Sequence, residues 1–334
     1  MGIPLRQGLR VARHLLTQQI LRRDKYPLVV ELEPLFACNL HCPGCGKTDH
    51  PPEVLSRQMS VEEAADGVAE CGAPVVSVAG GEPLLHPHIG EMVDALLDRN
   101  VSVYLCTNGL MLRKKLHLFK PSPHFAWVVH LDGVGEHHDR CVGRSGVFDE
   151  AVAGITEAKA RGFRVTTNST FFNTDSAERV VNLLDFVCFD LGVDAVMVSP
   201  AYAQEGASDQ GCFPVVTETQ RLFRSAFAEG RRKRWPFNHS ALYLDFLEGS
   251  VDLPCTPWAI PSFSVLGWQR PCYLLADGYA RSYRELVETT DWPKYGRGLD
   301  PRCSNCMAHS GHEPSAVIAQ MRSPLRAIRS SIRA

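Results

Sequence analysis

The chain has 334 residues, a formal net charge of −2 and twelve cysteines. That length supports a large core and more than one domain, and the near-neutral charge excludes the strong basic excess on which nucleic-acid affinity depends. No apolar stretch approaches the roughly 20 residues of a membrane span, and no export signal opens the chain, so the cysteines point to metal ligands and thiols in a reducing, cytoplasmic setting rather than to a disulfide framework.

Residues 1–27 carry Arg6, Arg10, Arg13, Arg22, Arg23 and Lys25 against one acid, Asp24, while Leu5, Leu9, Leu16 and Ile20 recur at helical steps. The pattern predicts a basic amphipathic helix. It either lies on an anionic membrane surface or docks on the domain with its arginines solvated. From residue 28 two periodicities alternate. Strands are predicted at 28–34, 74–79, 101–106, 125–131, 163–170 and 194–199, and helices at 60–71, 87–99, 110–118, 147–161, 176–190 and 217–229. Such alternation gives βαβ units on a parallel sheet. Six repeats over residues 28–235 suit an α/β fold, a partial (β/α)6 TIM-like barrel, whose reactive groups gather at the carboxyl ends of the strands.

The motifs sit at those ends. After the first strand comes Cys38-Asn39-Leu40-His41-Cys42-Pro43-Gly44-Cys45. Three thiolates so spaced can wrap one face of a four-iron cube and leave one iron for a non-protein ligand. A zinc loop, which wants four closed ligands, and buried structural thiols are the alternatives. After the second strand, Gly80 and Gly81 permit a turn that a Cβ would resist, and Glu82, followed by Pro83, offers a carboxylate to an ammonium group. Cys106, Thr107 and Asn108 end the third strand, Asp132 follows the fourth, Asn168 ends the fifth and Ser199-Pro200 the sixth. Asn168 and Ser199 either touch a ligand or cap their strands.

Residues 200–240 read as a loop and a helix, with the basic cluster Arg231-Arg232-Lys233-Arg234 at the helix end. Residues 236–315 read as loops rich in proline and aromatics. They hold Cys255, Cys272, Cys303 and Cys306, four soft ligands for a second [4Fe–4S] cluster or a zinc ion, or free thiols in a loop-rich cap. His309 and His312 lie close enough in sequence to replace one ligand. Trp258, Phe263, Trp268, Tyr273 and Trp292 line an apolar pocket or form the core of this region. Residues 316–334 form a second basic amphipathic segment, with Arg322, Arg326, Arg329 and Arg333 beside Met321, Leu325, Ile328 and Ile332.

Cys38, Cys42 and Cys45, followed in order by Gly80-Gly81-Glu82-Pro83, Thr107-Asn108-Gly109 and Leu131-Asp132-Gly133, resemble the radical S-adenosylmethionine (SAM) superfamily over about residues 28–200. The resemblance implies a [4Fe–4S] cluster whose open iron chelates SAM. Gly80 to Pro83 would receive the SAM amino group, Thr107 and Asn108 would lie at its ribose and carboxylate, and Asp132, at the next strand end, is also expected to bind the cofactor. One departure stands out. The position before the third cysteine, usually aromatic in the superfamily, is Gly44, which leaves a side-chain contact beside the adenine unassigned. The cysteines from Cys255 onward look like the twitch-type region of some members.

Cys42-Pro43-Gly44-Cys45-Gly46-Lys47, His130-Leu131-Asp132-Gly133, His137-His138-Asp139-Arg140 and Thr166-Thr167-Asn168-Ser169-Thr170 together resemble the adenosyl-hopene transferase family of hopanoid biosynthesis. That resemblance implies addition of the 5′-deoxyadenosyl radical to the alkene of diploptene, with an electron donor such as flavodoxin or ferredoxin and a place at the inner face of the membrane. Adding a carbon radical to that alkene leaves a tertiary radical that needs a hydrogen atom. A thiol is the best donor among side chains, so Cys106 is the expected quencher or, alternatively, a buried apolar thiol. Cys141 is the reserve, and Cys71, Cys188 and Cys212 are expected to pack. The competing expectation is a peptide-modifying enzyme that abstracts hydrogen. No leader-peptide-binding pattern is recognised before residue 28, which weighs against it.

Overall fold

The computed structural model describes residues 3–204, 206–228 and 234–322. Helix α1 (Leu5–Ile20) comes first. Six strands follow: β1 (Val29–Glu33), β2 (Val75–Val78), β3 (Ser102–Thr107), β4 (Phe125–His130), β5 (Arg164–Phe171) and β6 (Ala195–Pro200). Between them run α2 (Pro52–Leu55) and α3 (Val61–Cys71), α4 (Ile89–Asp98), α5 (Leu112–Lys115), α6 (Glu136–Val142) and α7 (Val147–Ala160), and α8 (Ala177–Asp185). After β6 come α9 (Val216–Ala226), α10 (Ala241–Leu247), β7 (Ser262–Ser264), β8 (Gly267–Pro271), β9 (Ala276–Ala280), α11 (Tyr283–Thr289) and α12 (His309–Arg322). Local chemistry sets the ends. Ser60 and Glu63 cap α3 reciprocally, and Gly72 ends it in the left-handed conformation at φ 70°.

All six expected barrel strands are present. They pair in parallel, and the sheet runs β6-β5-β4-β3-β2-β1-β7-β8-β9 as an open row, a partial barrel. The region read as loops differs from expectation. Its strand β7 pairs in parallel with β1, Glu31 opposite Ser262 and Leu32 opposite Phe263, and β8 and β9 extend the sheet antiparallel. These strands are three to five residues long and are broken by Gly267 and Pro271, too short to show a period.

Alternation along the strands divides the side chains. Val30, Leu32, Val76, Val78, Val103, Leu105, Trp127, Val129, Val165, Val196 and Val198 face the helices and form the main core. Val75, Tyr104, Ala126 and Val128 point into the barrel with Val29, Cys106 and Met197, and Val11 of α1 packs beneath them. Helix α1 thus plugs the amino-terminal mouth, where Tyr104 Oη donates to Gln7 Oε1 at 2.8 Å. Leu15 of the same helix is buried with Tyr26, Leu28, Ala259 and Ile318. Leu5, Leu9, Leu16 and Ile20 face the other way, into solvent. Arg231, Arg232 and Lys233 lie outside the described residues, as does the tail from 323 onward with Arg326, Arg329 and Arg333. Among the described residues no helix is long and apolar enough to cross a membrane.

Candidate active site

The upper lumen is lined from every barrel strand. Glu31 stands opposite Ser77, His130 opposite Asn168, and Asn168 opposite Met197. Cys106 Sγ lies 3.6 Å from Ser77 Oγ and is partly open to the lumen. Burial pushes its thiol up to about 12, so Cys106 keeps its S–H bond at neutral pH. Glu31 is pushed up to about 8, first by burial and then by the charge of Glu33. Asn168 Oδ1 is buried without a partner among the described residues, an acceptor left for something that is not protein.

The strand-end motifs form one network. Glu82 is 1% exposed. Its carboxylate accepts from Leu84 N at 3.0 Å, Thr107 Oγ1 at 2.9 Å and Asn108 N at 2.8 Å. Burial nonetheless raises its pKa to about 7, the hydrogen bonds working the other way. Gly81 N donates to Leu35 O and Glu82 N to Ala37 O, which seats the Gly80–Pro83 turn against the base of the cysteine loop. A Cβ on Gly81 would collide with the carbonyl oxygens of Ala37 and Phe36, and Gly80 has φ 101°. These are the two places in the motif where only glycine fits. Asn108 Nδ2 donates to Asn39 Oδ1 at 2.7 Å and lies 3.9 Å from Cys38 Sγ, so the third strand end steadies the cysteine loop. Asp132 is 3% exposed. Its Oδ2 lies 2.7 Å from His130 Nε2 and its Oδ1 accepts from Thr170 N at 2.7 Å, so it ties β4 to β5.

Sequence reading missed two features. A Cβ on Gly44 would stand 2.7 Å from the Phe172 ring, so an aromatic group does sit beside that position, brought from the end of β5. The second is Lys47, two residues past Cys45. Its Nζ lies 2.9 and 3.0 Å from the carboxylate oxygens of Glu33 and 4.0 Å from the centroid of the Tyr273 ring, and it donates to Tyr273 O at 3.4 Å. Lys47 therefore joins the first cysteine loop to the segment holding Cys272, and its charge acts on both Cys45 and Cys272. Only chain separation hid this pair, since 226 residues part Lys47 from Tyr273.

Cys255, Cys272, Cys303 and Cys306 come together, each buried wholly or in part. Burial raises all four thiols, Cys306 to about 12, and Cys255 is raised further by the charges of the other three. Gly311 makes room for them, as its Cβ would stand 2.7 Å from Cys255 Sγ. His312 is taken up by backbone, with its ring nitrogens 3.2 Å from Leu253 O and from Cys306 O, whereas buried His309 Nδ1 has no partner among the described residues. Of the five aromatics, Phe263 and Trp268 stack at 4.6 Å in the core, Trp292 is buried there, and Trp258 packs on Tyr26. Tyr273 alone stands by the lumen, facing Tyr202 at 6.4 Å. Cys71 is buried in the core and Cys188 packs against it, while Cys141 lies 4.0 Å from His137 Nε2.

Both cysteine sets are all-thiol, the donor type that iron–sulfur clusters use. Among the described residues no three His, Cys, Asp or Glu side chains are gathered tightly enough to hold one metal ion. The thiols of the first set still sense one another, Cys38 being raised to about 11 by burial first and by Cys45 among other charges.

A family model described as Radical SAM superfamily matches residues 32–187, and one described as Domain of unknown function (DUF3463) matches residues 196–330. The chain is similar to the Fe-coproporphyrin III synthase of Methanosarcina barkeri, at 28% identity over 48% of this chain and 40% of that protein. It is similar to the AdoMet-dependent heme synthase of the same organism, at 30% over 43% and 42%. It is also similar to the antilisterial bacteriocin subtilosin biosynthesis protein AlbA of Bacillus subtilis, at 30% over 51% and 39%. The match thus spans about two fifths of the length of these relatives. In fold the chain is similar to SuiB of Streptococcus suis bound to S-adenosylmethionine, with a TM-score of 0.65 and 16% identity over 93% of this chain and 78% of that one.

Proposed function

We propose that the chain, whose residues 32–187 match the radical SAM superfamily model, is an enzyme of that superfamily that adds a 5′-deoxyadenosyl group to the alkene of a hopene such as diploptene and completes the product with a hydrogen atom from Cys106. The superfamily's [4Fe–4S] cluster and SAM supply the 5′-deoxyadenosyl radical. In this reading Cys38, Cys42 and Cys45 hold the cluster. Gly80, Gly81, Glu82, Pro83, Thr107, Asn108 and Asn168 hold SAM, with Asp132 ordering the strand ends beside it. Cys255, Cys272, Cys303 and Cys306 hold a second [4Fe–4S] cluster. Residues 28–235 form the catalytic barrel and 236–315 the cysteine-rich region.

One observation carries the reading: Cys106 combines a place in the lumen with a thiol that burial keeps protonated. A thiol can quench a tertiary carbon radical only while it holds its hydrogen. Level with Cys106 the barrel interior is apolar through Val128, and beneath it through Val75, Tyr104 and Ala126, as a hydrocarbon substrate asks. After the transfer a thiyl radical remains on Cys106. One electron, from a donor of the flavodoxin or ferredoxin kind, and one proton restore the thiol. A hopene resides in a bilayer, so the reading includes an enzyme peripheral to the inner face of the membrane.

Similarity to SuiB, whose structure is known with a precursor peptide bound, and to several biosynthesis and maturation proteins supports a second reading, hydrogen abstraction from a peptide. They include AlbA, the mycofactocin maturase MftC of Mycobacterium tuberculosis and the sporulation killing factor maturation protein SkfB of Bacillus subtilis. Incubating reduced, iron-reconstituted protein with SAM and diploptene separates the two. A covalent adenosyl-lipid detected by mass spectrometry supports the first. Free 5′-deoxyadenosine with no adduct refutes it and leaves the peptide reading.

A further inference from the structure

Helix α1 presents an apolar row to solvent. Leu5 is 79% exposed, Leu9 63%, Leu16 52% and Ile20 80%. Its opposite face is already engaged, by Val11 under the barrel and by Leu15 in its own cluster. The row is therefore not the docking face of the helix, and nothing among the described residues covers it. Leaving four large aliphatic side chains in water is unfavourable unless something else takes them up.

The surroundings indicate what does. Arg6, Arg13, Arg22, Arg23 and Lys25 are all exposed around the row, and the one acid of residues 3–28 is Asp24. Beside it a cleft of about 470 Å³ between α1 and the ends of α3 and α4 is lined by Arg10, Arg13, His14 and Arg99 among others. Arg10 Nη2 holds Asn100 Oδ1 at 2.7 Å, while its Nη1 has no partner among the described residues. An apolar row fringed by cations matches a bilayer boundary, where acyl chains lie beneath phosphate headgroups.

We propose that the outward face of α1 docks on an anionic phospholipid bilayer, its leucines and isoleucine entering the acyl boundary and its arginines meeting lipid phosphates. Charge disfavours the other occupants. A second copy would set arginines against arginines. Residues 323–334 of this chain carry Arg326, Arg329 and Arg333 and no acid. The inference names the surface for the peripheral attachment included above but does not require a hopene. Helix α1 closes the amino-terminal mouth, and the cysteine loop leaves the carboxyl end of β1, so the reacting end of the barrel stays free when the helix is docked.

The test is co-sedimentation of the full chain with vesicles of phosphatidylglycerol and phosphatidylcholine in equal parts, or of phosphatidylcholine alone, with neither SAM nor hopene present. The protein should pellet with the anionic vesicles and bind phosphatidylcholine at least about tenfold more weakly. The Leu9→Glu/Leu16→Glu variant should stay in the supernatant while keeping the wild-type thermal midpoint, because both positions are exposed. Arg6→Glu/Arg13→Glu should bind weakly. A wild-type chain that ignores anionic vesicles overturns the proposal, as does a leucine variant that pellets normally. A wild-type dimer that the leucine variant dissolves, seen by light scattering, assigns the row to a second copy and overturns it equally. None of these outcomes bears on whether an adenosyl-lipid forms.

Discussion

Replacing Lys47 by methionine tests the junction between the two cysteine sets. The Lys47 and Glu33 side chains are 8% and 0% exposed and meet at 2.9 Å. Methionine keeps most of the apolar stem but removes the charge that sits over the Tyr273 ring. Glu33 is then a buried carboxylate without a cation, close to Glu31, whose pKa it already helps to raise. Removing one partner of a buried ion pair costs about 3–5 kcal/mol, because the other charge stays desolvated. The lost ring contact accounts for about 0.5–2 kcal/mol of that. Removing both charges in Glu33→Gln/Lys47→Met should recover most of the loss, since a neutral pair of similar volume has no charge to desolvate. Urea unfolding followed by circular dichroism, at matched iron content, measures both. Iron retention in a Cys38/Cys42/Cys45 triple variant should also fall when Lys47→Met is added, because the Tyr273 segment loses its tether. A single variant within about 1 kcal/mol of wild type, or a double variant no better than the single, would refute the reasoning.

Three further outcomes are expected. Gly81→Ala should displace the cysteine loop, since its methyl meets the carbonyls of Ala37 and Phe36; the electron paramagnetic resonance signal of the reduced protein should then no longer respond to SAM, and an unchanged response would count against this seating. Cys106→Ala should still cleave SAM but lose yield or stereochemical purity in the adenosylated product, and normal yield with normal stereochemistry would remove Cys106 as the hydrogen donor. His138 is fully buried and accepts from Asp132 N at 3.1 Å through Nδ1, and burial pushes its pKa down to about 4. Its folded value lies below the unfolded value of about 6.5, so the unfolded chain binds more protons between the two. Stability should therefore fall as pH drops from about 6.5 towards about 4, by about 3 kcal/mol from this residue. Urea midpoints against pH should flatten in His138→Phe, and parallel profiles for variant and wild type would contradict the assignment.

Much of the barrel was legible because two periods alternate cleanly from residue 28, and strand ends then predict where motifs fall. The Glu82 network followed from the same logic, since adjacent parallel strands bring residues 82, 107 and 108 to one edge. What escaped depends on contacts distant in sequence. Strand β7 is only three residues long and gains its place from β1, more than 200 positions earlier. Phe172 stands beside Gly44 only after β5 has been folded next to β4. Helix α1 reversed the usual rule. Its most regular apolar row faces solvent, while its docked face mixes Val11 and Leu15 with Gln7, His14 and Gln18, and such a face has little hydrophobic signal.

Strand β1 has β2 on one side and β7 on the other. The first cysteine loop leaves its carboxyl end, and Cys272 follows β8, one strand beyond β7. The spacing between the two sulfur-bearing loops is thus measured across backbone rungs and not along the intervening polypeptide. Extra residues inserted between Leu247 and Cys255 should leave that spacing unchanged, whereas a proline in place of Phe263 would loosen the strand ladder that sets it.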